Sequence, residues 1–153
     1  MKTIINFIIL ISTIALLCFS CTYPDEPSYP MNDSPKTISQ LKQEIIETGD
    51  TSAYYDLIIQ LMEYKSGDDD LLPYALIMAN KYNYTQAYFD VFDCLTAKYS
   101  SDIGQIDSLT AQLAIKYLLI ASEKRHWQAS EIVESHSIVE NQDAIKQLNT
   151  IFQ

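Results

Sequence analysis

Apolar residues recur at helical spacing along most of this chain, and the places where the spacing breaks are themselves regular. Ile38, Leu41, Ile45 and Ile46 mark one helix, which ends at Gly49. Glycine has no Cβ and suits the left-handed stop that terminates helices. Ala53, Tyr54, Leu57, Ile58, Leu61 and Met62 mark a second helix, capped by Thr51 or Ser52. After the break Ser66-Gly67-Asp68-Asp69-Asp70 a third is predicted from about Leu71 to Tyr82, with Pro73 in its first turn. Thr85 then caps a fourth, carrying Ala87, Tyr88, Val91, Phe92 and Leu95 and running to about Lys98. A long gap leads to a fifth helix from Asp107 or Ser108 to about Lys124, and Trp127 to Ser135 makes a sixth. Asn141 caps the last, through Ala144, Ile145, Leu148, Ile151 and Phe152. Ser34 followed by Pro35 suits the start of the first, cap then first-turn proline.

The breaks share a layout: a small or apolar residue, a break four on, alanine after four more, and an aliphatic after another four. It reads Ile45/Gly49/Ala53/Leu57, then Ala79/Asn83/Ala87/Val91, then Ala121/Arg125/Ala129/Val133. Two helices meeting at a tight turn bring their backbones together, so only small side chains fit at the crossing. Asn83 can adopt the left-handed turn of Gly49, whereas Arg125 does so against a steric penalty. Separations of 34 and 42 residues between copies are those of a stacked helical array. The pattern resembles the Sel-one-like repeats, helix-pair relatives of tetratricopeptide repeats, over residues 38 to 136. That resemblance implies an all-α fold, a short α-solenoid of about seven helices in antiparallel pairs, and a role in binding other proteins.

The first twenty residues stand apart. Met1-Lys2 precedes an apolar run from Ile4 to Phe19, and Ser20 precedes Cys21. The stretch is too short for a confident bilayer span and resembles a bacterial lipoprotein signal peptide, with Cys21 as the residue to be acylated. The chain then divides into a signal at 1–20, a lipidated cysteine and tether at 21–35, and a helical repeat domain at 36–153. Four prolines between Thr22 and Pro35 favour an extended spacer. Asp25-Glu26 behind the cysteine resembles an export signal of some surface lipoproteins, so periplasmic and surface-facing orientations of an outer-membrane anchor both stay open.

Charge narrows the partners. Without Lys2 and the rest of the leader, nine basic and twenty acidic residues remain, a net charge of −11. Such a chain is repelled by nucleic acid and by anionic lipid, and it suits a neutral or basic protein partner. Cys94 becomes the one remaining thiol, a buried hydrophobe in a helical pattern, so no internal disulfide is available.

Catalytic and metal motifs are missing: no HExxH, phosphate-cradling loop, CxxC or nucleophile elbow occurs. His126 and His136 are ten residues apart, too far along one helix to share a metal, and no cofactor is expected. Asp56 and Asp90 fall at equivalent repeat positions and read as polar helix-face residues. The aromatics say more. Tyr54-Tyr55 and Tyr88-Phe89 are adjacent pairs, and neighbours in sequence cannot both face one side of a helix. At least one of each pair belongs at an edge or on a concave face, which makes Tyr54, Tyr55, Tyr88 and Phe89 the candidate binding face. The expectation is a membrane-anchored, non-catalytic interaction scaffold. An immunity-type inhibitor of a toxin or envelope enzyme is the alternative; a self-associating structural lipoprotein or a cell-envelope hydrolase ranks below both.

Overall fold

Residues 35–63, 68–140 and 142–152 are described by the computed structural model. The expected signal peptide, Cys21, the tether up to Ser34 and the Asn141 cap lie outside the described residues. Among the described residues the structure is all-helical: α1 (Ile38–Thr48), α2 (Thr51–Glu63), α3 (Asp68–Asn80), α4 (Thr85–Thr96), α5 (Ser108–Glu123), α6 (Trp127–His136) and α7 (Ala144–Ile151). Two 3-10 turns, Ala97–Tyr99 and Ile103–Gln105, fill the long gap between α4 and α5. The helices form a short α-solenoid of antiparallel pairs, α1/α2, α3/α4 and α5/α6, closed by the single helix α7. Each helix packs on the next in sequence, α1 also packs on α3, and α5 on α7.

The three breaks take one geometry. Gly49, Asn83 and Arg125 are left-handed, with φ of 69°, 56° and 64°. A helix begins two residues after each of them, at Thr51, Thr85 and Trp127. Around the breaks Ile45, Ala79, Ala87, Ala121 and Ala129 are wholly buried and Ala53 is 1% exposed, as close backbone approach requires. Gly49 is needed twice over, because its φ is positive and a Cβ there would run into the Tyr82 ring. Arg125 adopts the strained turn nonetheless. Its N–H donates to Ser122 and that of His126 to Ala121, a pair of bonds that satisfies two terminal carbonyls of α5. Ser137 ends α6 the same way, a fourth left-handed residue that the repeat pattern does not mark.

Several helix starts differ from the sequence expectation. Thr37, not Ser34, caps α1, in a reciprocal capping box with Gln40. Asp50 rather than Thr51 or Ser52 caps α2, accepting from the N–H of Ala53 at 2.7 Å. Tyr84 stands at the cap of α4 without a side-chain bond, displacing Thr85, and Asp143 caps α7. The aspartates at 68–70 do not form a loop before α3 but its first turn, which leaves Pro73 inside the helix.

The core runs the length of the array. Leu41, Ile45, Leu57, Met78, Val91, Leu118 and Leu148 are all fully buried. Ile103 and Ile106 from the α4–α5 connection join them, so this long segment is anchored by its own side chains.

Candidate interaction surface

Neighbouring pairs of helices are joined by polar side chains near the breaks. The Tyr54 hydroxyl on α2 donates to Asp90 on α4 at 2.8 Å, and the Gln86 amide donates to the other oxygen of Asp90 at 2.8 Å. Gln86 in turn meets Nε2 of His126, the residue that caps α6, at 2.8 Å. The Nδ1 of His126 accepts from the N–H of Ala129, so the neutral tautomer with the proton on Nε2 satisfies both contacts. Tyr54, Asp90, Gln86 and His126 thus form one hydrogen-bonded line through all three pairs. Burial pushes the Asp90 carboxyl above its usual range, while Gln86 and Tyr54 pull it back by bonding the charged form. Burial first, and the Asp90 charge second, push the Tyr54 phenol well above its ordinary value, which keeps it a donor. Burial lowers His126.

A second tie lies at the other edge of the breaks. Asn80 donates to the Tyr117 hydroxyl at 2.7 Å, and Lys81 and the Tyr82 hydroxyl both donate to the Ile46 carbonyl at 2.8 Å. Rings reinforce these bonds: Tyr54 meets Tyr84 edge-on with centroids 5.9 Å apart, and Phe89 stacks on His126 at 4.6 Å.

These contacts decide the fate of the four candidate aromatics. Tyr54 and Tyr88 are buried, and Phe89 is half-buried under His126. Tyr55 alone of the four is largely exposed, at 63%. The structure therefore does not bring them together as one open face; two serve the core and one an inter-pair contact. Asp90 is likewise a partner of Tyr54 across the array rather than a plain helix-face residue. Nothing local in the sequence marks that pairing, since the residues are 36 apart.

Other large apolar side chains are open to solvent. Met62 is 65% exposed and shares the α2 surface with Tyr55; Trp127 and Leu109 are exposed on α6 and α5. An open groove follows α5, in two adjoining hollows of about 410 and 520 Å³ that share Lys116, Leu119 and Glu140. Its far wall is the segment joining α6 to α7, with Ile138 and Val139. α7, at 8 residues, is half the length of the 16-residue α5 against which it packs.

Among the described residues no three His, Cys, Asp or Glu side chains come together as a metal site. His126 is occupied as a cap, and His136 bonds the Ile132 carbonyl and Ser135. Cys94 is buried and forms no disulfide with any described residue. No helix of the described residues is long and apolar enough to cross a membrane. Comparison with known proteins adds nothing to the geometry: no family model, curated protein or solved structure matches the chain.

Proposed function

We propose that the protein is a membrane-anchored, non-catalytic scaffold that binds another polypeptide on its helical array, in the manner of divergent Sel-one-like or tetratricopeptide-type repeats. The observation that carries this reading is the apolar surface left open on a tied framework: Tyr55, Met62 and Trp127 outside it, and the groove along α5. Large exposed apolar side chains on elements fixed by inter-helix bonds suit recognition, because little ordering entropy is lost on binding. Cys21 supplies the anchor in this reading, and a neutral or basic protein is the partner. Neutralisation of a basic toxin or envelope enzyme is a narrower form of the same function, favoured by the net charge of −10.

Affinity capture with the full chain from its own envelope, followed by mass spectrometry, tests the binding role. One heterologous polypeptide recovered in constant proportion supports it; recovery of the protein paired only with itself overturns it in favour of self-association. The anchor has its own test. Cys21→Ala should move the protein to the soluble fraction, and continued membrane retention would sink the lipid assignment.

A further inference from the structure

We propose that the outer face of α2 docks a cationic amphipathic helix of a partner protein. The inference rests on the scaffold reading and deepens it by naming the surface and the chemistry of what it binds. Tyr55, Ile59 and Met62 are spaced by four and three residues, so they fall in one narrow stripe two turns long. Tyr55 is 63% and Met62 65% exposed, with Ile59 partly buried between them. Three large apolar side chains on one helix face that no described residue covers fully are what an incoming helix buries at its own positions i, i+4 and i+7.

The array shows how such a face is covered where a neighbour is present. Phe89 holds the position on α4 that Tyr55 holds on α2, and His126 from the following pair stacks on its ring. At the equivalent place beside α2 the cap residue Tyr84 turns to Tyr54 instead, leaving Tyr55 open. On α4 the positions matching Ile59 and Met62 are Asp93 and Thr96, one polar and one buried, so of these two helices α2 carries the open apolar stripe.

Charge selects the occupant. Asp56 and Glu63 each follow directly after a stripe residue, and neither α2 nor α4 contains a Lys or Arg. Between Lys36 and Asp107 the chain holds twelve acidic and five basic residues, a net charge of −7. The α5 groove mixes its signs, with Lys116 set among Glu123 and Glu140 on its rim, whereas α2 itself carries acids alone. A helix with aliphatic residues on one side and Lys or Arg on its flanks matches the α2 face in both apolar and electrostatic pattern.

Two labelled model helices test this, a fourteen-residue amphipathic peptide of Leu and Lys and its counterpart of Leu and Glu, titrated into the full chain in mild detergent. The Leu/Lys peptide should bind, more weakly as salt rises, and the Leu/Glu peptide should not. The Tyr55→Ser/Met62→Ser pair should weaken binding by about tenfold or more, and Glu63→Lys should weaken it too. Both positions are solvent-exposed, so the melting temperature of the variants should stay unchanged, which separates lost binding from lost folding. Equal binding by both peptides, binding unaffected by the double variant, or no binding of the Leu/Lys peptide overturns the proposal. Loss through Leu119→Ser/Val139→Ser instead would overturn α2 docking and leave the scaffold reading standing.

Discussion

The two junctions of the array use the same positions for different chemistry. Where the first pair of helices meets the second, the cap residue is Tyr84, edge-on to Tyr54, and Tyr54 donates to the buried Asp90 carboxylate. Where the second meets the third, the cap residue is His126, stacked flat on Phe89 and bonded to Gln86. One junction ends in a charge held by neutral donors; the other ends in a ring that must stay neutral. The shared backbone turn fixes where the neighbours meet and leaves their side chains free to differ. Sequence divergence between copies is therefore compatible with one fold, because the conserved quantity is the corner and not the contact.

The largest test of this comparison sets Phe89 against Tyr55, which occupy matching positions on α4 and α2. Phe89→Ala strips the ring from under His126 and should cost about 2–3 kcal/mol, somewhat below a fully buried phenylalanine. Tyr55→Ala should stay within about 0.5 kcal/mol, since its ring is exposed. Chemical denaturation of both variants gives the values; equal losses would mean that the two positions are not the covered and uncovered forms of one site. Next in size is Tyr54→Phe, which leaves the partly buried Asp90 with Gln86 alone. It should cost about 1–2 kcal/mol by the same measurement. An unchanged midpoint would show that the first junction rests on ring packing and not on the hydroxyl.

How much of this the sequence discloses depends on how local the cause is. Gly49, Asn83 and Arg125 are legible as breaks because alanine spacing reports a close backbone crossing, and all three are left-handed. The number of helices and the antiparallel pairing follow from the same spacing. The caps are not legible by side-chain preference. Thr85 looks like a better cap than Tyr84, and Asp50, a strong capping type, stands one place before the expected Thr51 or Ser52; in both cases the corner places the cap immediately after the left-handed residue. The adjacent pair Tyr54-Tyr55 declares that one ring points inward and the other outward, but the choice between them comes from Tyr84 and Asp90, thirty or more residues away. For the same reason Asp90 reads as a surface acid until Tyr54 is placed beside it. The open stripe on α2 is visible as apolar residues and hidden as a surface, since exposure depends on which neighbour fails to cover it.

The smallest effect separates the junctions by pH. His126 accepts the Ala129 N–H through Nδ1 and sits against the Phe89 ring, and burial lowers its pKa below the ordinary 6.5. A base whose pKa falls on folding binds more protons in the unfolded chain than in the folded one, in the window below 6.5. Stability from this site is therefore complete above 6.5 and is lost as pH falls toward the lowered folded value. Protonation also turns Nδ1 into a donor facing another donor, which abolishes the cap. Asp90 works in the opposite sense: its carboxyl is raised, so its protonation on acidification, from the raised value down to 3.8, favours the folded chain. The second junction should thus weaken first, as pH falls below 6.5. Denaturation midpoints at pH 8 and pH 5 should differ more in the natural chain than in His126→Gln, whose amide cannot titrate. A variant with the same pH dependence as the natural chain would assign the acid sensitivity elsewhere and leave the two junctions equivalent.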